Sequence, residues 1–111
     1  MLKLNQIQVQ AHRTADRRNQ LPANTTITLL AKLMGEAGEA VDAVVKNRIM
    51  DVDTFNEKSD NFYSEFENQV KNTLGDELAD VVLYALIIAE ENHLNLEKHI
   101  QCKLKYNDLR P

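Results

Sequence analysis

Four carboxylates in this sequence have types and spacing that could do chemistry. Glu36 and Glu39 sit in the stretch GEAGEAV, and Glu77 and Asp80 in the stretch DELADVV. Both stretches belong to segments whose apolar residues recur at steps of three and four, the period of an amphipathic helix. On a helical wheel Glu36 falls inside the stripe formed by Leu29, Leu33, Ala40, Ala43 and Val44, with Glu39 on its edge. Glu77 falls inside the stripe formed by Val70, Leu74, Val81, Tyr84, Ala85 and Ile88, and Asp80 again lies on the edge. Two helices therefore carry the same device, an acid in the core-facing stripe and a second acid one turn on.

A carboxylate buried without a partner works against folding by several kcal/mol. Several that converge raise one another's pKa, and a cation between them removes both penalties. Basic neighbours supply little: Lys32 is one turn from Glu36 and can pair with it, Lys46 is placed for Asp42, and Lys71 points away from Glu77. Hard oxygen ligands with no cysteine or histidine nearby select Mg²⁺, with Mn²⁺ as a close substitute. The competing reading is plain. Acids at this spacing are common on solvated faces, and a phase error of ~60° on the wheel would bring all four to the surface. Their repetition at matching positions on two helices favours the metal site. Gly35 and Gly38 lie within the first of these helices, where each costs about 1 kcal/mol against alanine. Either they are tolerated or they let another helix or a ligand come close.

The elements that must position these acids read as helices over about 2–19, 25–48, 61–91 and 96–107. The first stops before Pro22, Asn24 caps the second, and Asn95 caps the fourth. Residues 49–60 read as a connection in which Thr54 and Glu57 fit a capping box that can start a short helix. In the last helix Ile100 and Leu104 read as the buried side. The fold class is all-α, a four-helix-bundle-type subunit, with 1–111 as a single domain. The chain has 111 residues, 13 Lys and Arg against 17 Asp and Glu, and a net charge of −4, which argues against a nucleic-acid polymer as partner. No apolar run approaches the ~20 residues of a membrane span, and the N-terminus lacks a signal peptide's apolar core. The single cysteine, Cys102, excludes an internal disulfide and a multi-cysteine zinc site and leads to the expectation of a reducing cytoplasm.

The pattern Glu36, Glu39, Glu77, Asp80, with DELADVVLYAL around the second pair, resembles the MazG-like all-α nucleoside triphosphate pyrophosphohydrolases. The tail LEKHIQCKLKYNDLRP is similar to that family's last helix, in which a lysine and an asparagine four residues on contact substrate; Lys103 and Asn107 occupy those places. The resemblance implies a helical bundle completed by dimerisation, as a homodimer or homotetramer. It also implies Mg²⁺ dependence and hydrolysis of a nucleoside triphosphate to the monophosphate and pyrophosphate, in a role such as nucleotide-pool house-cleaning. It makes the four acids both metal ligands and catalytic groups. His12 resembles a histidine that some relatives carry in the first helix. Two departures stand out. The stretch between Glu39 and Glu77 is longer than in many members, the excess lying in 49–66 as a connecting insertion, and the tryptophan that many relatives place near the base is missing.

Other residues offer weaker chemistry. Arg13, Arg17 and Arg18 make a basic face on the first helix, which is either solvated or directed to the triphosphate. Glu90 and His93 form one copy of a motif that di-iron bundles use twice, and a single copy at a helix end reads as a capping region. Apolar residues on several sides of the second and third helices, including Leu29, Leu33, Val44, Val81, Leu83, Leu86, Ile87 and Ile88, call for a partner subunit. The reading from another class is a non-catalytic helical dimerisation or regulatory module that retains the fold. An idle module is expected to lose metal ligands, and this chain keeps all four.

Overall fold

Where the chain leaves its helices it does so mostly without glycine. In the computed structural model, which describes residues 1–21, 23 and 25–111, the described residues with positive φ are Asn19, Asn47, Asn72 and His93, and none is a glycine. Asparagine tolerates the left-handed region because its short polar side chain can bond locally. Three of the four close the same paired hydrogen bonds at a helix C-terminus. Gln20 N–H donates to Ala15 and Asn19 N–H to Asp16; Arg48 donates to Ala43 and Asn47 to Val44; Leu94 donates to Ala89 and His93 to Glu90.

These turns separate five α-helices: α1 (Leu4–Arg17), α2 (Thr25–Val45), α3 (Phe62–Gln69), α4 (Leu74–Glu91) and α5 (Leu96–Leu109), with a 3₁₀ turn at Val52–Thr54. Among the described residues there is no strand. The all-α reading stands, but the count of four helices does not. The single helix expected over 61–91 is two helices, broken at Val70–Thr73. Asn72 adopts φ 68° there, and Thr73 Oγ1 donates to Val70 O at 2.6 Å. The Asp76 carboxylate reaches back to Asn72 N–H at 2.9 Å. The short helix expected from Thr54 does not begin there. The 3₁₀ turn precedes it, capped by the Asp51 side chain accepting from Asp53 N–H. Asn95 caps α5 as expected, accepting from Lys98 N–H at 3.1 Å. The capping role read for Asn24 and the stop read at Pro22 lie outside the described residues.

The described chain forms two compact units, Met1–Leu30 with Leu83–Pro111, and Ala31–Val82. In the first, Ala15, Leu29 and Ile87 form a buried cluster against which Ala11, Leu21, Tyr84 and Ile88 pack. Gln8 is buried among these helices and fully used: its amide donates to Glu90 Oε1 and Leu94 O, and its oxygen accepts from Leu96 N–H. In the second unit Ala40, Ala43, Val70 and Glu77 are buried. Leu74 N–H donates to Arg48 O at 2.8 Å, tying the start of α4 to the turn after α2. Phe55, Phe62 and Phe66, the chain's three phenylalanines, pack on one another with ring centroids 5.7 to 6.3 Å apart.

Two packing expectations change. Ile100 and Leu104 do not form a buried side of α5, since both are exposed, Leu104 by 60%. Among the described residues nothing buries that stretch, so its apolar periodicity meets no partner there. Leu29, Leu86 and Ile87 are buried by their own chain. Of the other residues expected to need a partner, Val44 and Leu83 do stay exposed, and α2 and α4 also leave Met34, Val41, Val45, Leu78 and Val82 open. Met34, Val41 and Val45 recur on the face of α2 opposite Glu36. A Cβ added at Gly35 or Gly38 would meet nothing within 4 Å, so close approach by another part of this chain does not explain either glycine.

Candidate metal centre

α2 and α4 each bring one acid inward and one toward the rim. Glu77 is only 3% exposed, and Glu36 and Asp80 are half-buried, while Glu39 is exposed. This grading follows the wheel positions, since the mid-stripe acids lie deeper than their edge partners. Carboxylate oxygens of Glu36, Glu39 and Glu77 all lie within 4.8 Å of one another. Asp80 joins them electrostatically, through Glu39 and through a hydrogen bond with Glu36.

The crowding shows in the titration of the group. Burial pushes the Glu77 carboxyl up to about 8, and proton sharing with Glu36 and Glu39 and their charges add to it. Burial also raises Glu36, with Glu39 and Asp80 contributing, while its hydrogen bond with Glu77 acts in the opposite direction. Asp80 is raised by burial first, then by the charges of Asp76 and Glu39. Among the described residues no lysine or arginine forms an ion pair with any of the four. Lys32 does not pair with Glu36, and Lys46 pairs with Asp42 at 2.9 Å, as its spacing suggests.

Two oxygens, Glu36 Oε2 and Glu77 Oε2, are buried and have no hydrogen-bond partner. A folded protein rarely leaves such atoms unmatched, and each costs about 1–3 kcal/mol or more when charged. An all-oxygen set of three or four carboxylates, two of them with an orphaned oxygen, fits a hard divalent cation. The donor chemistry does not suit a soft or strongly nitrogen-seeking metal.

The other expected site residues belong to the first unit. His12 Nε2 lies 2.6 Å from Glu91 Oε2, a contact between α1 and the end of α4 that the sequence spacing did not suggest. Arg13 is exposed on α1. Lys103 Nζ sits 4.8 Å from the centroid of the Tyr106 ring, and Lys103 and Asn107 are both exposed. The residue that wheel analysis missed is Asp76. It faces neither stripe, yet its charge acts on Asp80 and its carboxylate holds the turn before α4. The available signal was the spacing Thr73-x-x-Asp76, a capping-box pattern inside a segment read as continuous helix.

No helix of the described residues is long and apolar enough to cross a membrane. No curated protein and no solved structure matches the chain significantly. A family model does: that of the MazG nucleotide pyrophosphohydrolase domain matches residues 24–108, a span that contains all four acids as well as Lys103 and Asn107. The chain belongs to the MazG nucleotide pyrophosphohydrolase family.

Proposed function

We propose that this protein hydrolyses a nucleoside triphosphate to the monophosphate and pyrophosphate, using a divalent cation, Mg²⁺ or Mn²⁺, held by Glu36, Glu39, Glu77 and Asp80. The observation that carries the reading is the pair of buried, unpartnered oxygens on Glu36 and Glu77, within a cluster with which no basic side chain among the described residues forms an ion pair. A cation bound there would supply positive charge to the phosphate oxygens. Glu36 and Glu77 form the buried floor of the site. Glu39, the most exposed of the four, is the carboxylate best placed to take a proton from water. The water oxygen then bonds to the α-phosphorus, the bond from that phosphorus to the bridging oxygen breaks, and pyrophosphate leaves. Lys103 and Asn107, one turn apart on α5, contribute a point charge and a hydrogen-bonding amide toward phosphate or sugar.

The working form is a homodimer or homotetramer. Its support is the apolar side chains that α2 and α4 leave exposed, Met34, Val41, Val45 and Val82, which water would otherwise cover. A role in clearing unwanted nucleotides from the pool follows from the reaction. The test is pyrophosphate release from a panel of nucleoside triphosphates with Mg²⁺ and with chelator, alongside calorimetric titration of Mg²⁺. Metal-dependent pyrophosphate release and saturable Mg²⁺ binding support the reading. Equal activity in chelator, or no release from any triphosphate, sinks it.

A further inference from the structure

The outer face of α2 is apolar at a spacing that answers to another helix. Ile27, Leu30, Met34, Ala37, Val41 and Val44 follow one another at alternating steps of three and four, the repeat that forms a seam between two helices. All six are exposed, Ile27 by 76%, Met34 by 73% and Val41 by 65%. The residues that α2 turns inward form a separate row, in which Leu29, Ala40 and Ala43 are buried and Leu33 and Glu36 half-buried. The helix therefore carries two apolar rows, and among the described residues only the inner one is covered.

Charge is kept off the outer row. Lys32, Glu39 and Asp42 share a third sector of the helix. The positions that border the row hold Ala31, Leu33, Gly38, Ala40 and Val45, none of them charged. Bordering charges are what select a different partner in such seams. Their absence leaves nothing to repel an identical helix. A Cβ added at Gly38 would meet nothing within 4 Å, so the space this glycine keeps clear lies on the open side of the helix.

We propose that α2 of a second copy packs antiparallel on this row, across a twofold axis, and that the pair is the interface of the assembled form. The inference rests on the homo-oligomer read above and deepens it by naming the element and its direction. Turned end for end, the row meets itself. Ile27 faces the partner subunit's Val44, Leu30 faces the partner subunit's Val41, and Met34 faces the partner subunit's Ala37. Ala37 decides the direction. In a parallel pair the two alanines would face each other between layers of larger side chains and leave a void. In the antiparallel pair each alanine receives a methionine, the side chain that best fills an irregular gap, and the helix dipoles oppose.

The test uses the full chain. The parent should sediment as a dimer or tetramer at micromolar concentration. Met34→Glu and Val41→Glu, both at exposed positions, should each weaken that association by about a hundredfold or more, with helical circular dichroism unchanged. Tyr63→Glu, exposed on α3, should leave it as it is. Direction is read from distances between nitroxide labels on cysteines that replace Lys32 or Lys46, one at a time, with Cys102→Ser as background. In the antiparallel pair the helical rise offsets the Lys32 labels by roughly 10 Å along the axis and the Lys46 labels by roughly 31 Å, so the second distance should be clearly the longer. A dimer that survives both glutamates, or one that Tyr63→Glu dissociates equally, overturns the seam and leaves the assembly standing. Equal distances at the two label positions overturn the antiparallel direction. A parent that stays monomeric overturns the seam together with the assembly. Absence of pyrophosphate release from a parent that does assemble overturns the enzyme reading instead and leaves the seam in place.

Discussion

Gln8 and Glu77 are buried to the same degree, 4% and 3% exposed, and are treated in opposite ways. Gln8 donates to Glu90 and Leu94 and accepts from Leu96, so its amide is matched on both sides. Glu77 keeps an oxygen with no hydrogen-bond partner, stands beside Glu36 with the same defect, and is held up near pH 8. The first arrangement is finished by the fold. The second is left open at a cost to stability. A buried polar group that its own chain satisfies reports on architecture, whereas one left unsatisfied reports on a ligand.

Mutation of the acids should give the largest effect and opposite signs for stability and activity. Glu77→Gln, Glu39→Gln or Asp80→Asn should lower pyrophosphate release by about a thousandfold or more, on the scale of losing a principal electrostatic group. The helical circular dichroism should be unchanged. In the absence of metal each variant should melt at or above the parent, because a repelling charge has gone. Full activity in any of the three would remove that acid from the site, and a collapse of helicity would make it a folding residue like Gln8.

The pH dependence of the metal-free protein should be nearly as large. An unfolded Glu77 titrates near 4.5, and the folded one near 8. Below the lower value both states carry the proton and nothing is lost. Between the two the folded state keeps a proton that the unfolded state has released, so stability falls by about 1.4 kcal/mol per pH unit. Above the higher value the loss is complete. Glu36 and Asp80, also raised, act in the same direction. Urea unfolding in chelator from pH 4 to 9 checks this, and saturating Mg²⁺ should reverse the trend, since it stabilises the ionised cluster. A pH-independent midpoint in chelator would mean the acids do not share a desolvated space.

Gln8→Ala tests the other half of the comparison. It strands Glu90, the Leu94 carbonyl and the Leu96 N–H together, and should destabilise by about 1–3 kcal/mol with or without metal. Calorimetric affinity for Mg²⁺ should not move. A change there would show that the first unit's polar network also tunes the acid cluster.

The placement of the acids was legible in the sequence because a carboxylate inside an apolar stripe violates the helical period that surrounds it. Glu36 and Glu77 break the pattern in the same place on two helices, and the deeper burial of these two against Glu39 follows from stripe centre against stripe edge. The break between α3 and α4 was hidden by the same periodicity. Val70 and Leu74 remain four residues apart across it, so the wheel keeps its phase while the backbone does not. The chain turns there on Asn72, without the glycine or proline that usually announces a stop. The tie between the start of α4 and the turn after α2 was out of reach for another reason: Leu74 N–H meeting Arg48 O is a tertiary contact with no local signature. The exposure of Ile100 and Leu104 was misread because periodicity shows that a face is apolar, not what covers it.

Asn72 and Asn19 offer the smallest and sharpest contrast. Both hold positive φ, 68° and 57°, at a helix exit. Replacing either by alanine puts a Cβ without a compensating polar group into the left-handed region, which costs about 1 kcal/mol. The two should melt alike. They should part in metal binding. The turn at Asn72 sets the start of α4, through its own N–H to Asp76 and through Thr73, whose carbonyl accepts from Glu77 N–H at 3.0 Å. Loosening that turn shifts the backbone that carries Glu77, and a carboxylate displaced by a fraction of an ångström loses affinity for a cation with strict geometry. Asn72→Ala should therefore weaken Mg²⁺ binding by about three- to tenfold, while Asn19→Ala leaves it untouched. Equal weakening by both would mean that the cluster answers to global stability, and unchanged binding in both would mean that the turn before α4 has no part in aiming Glu77.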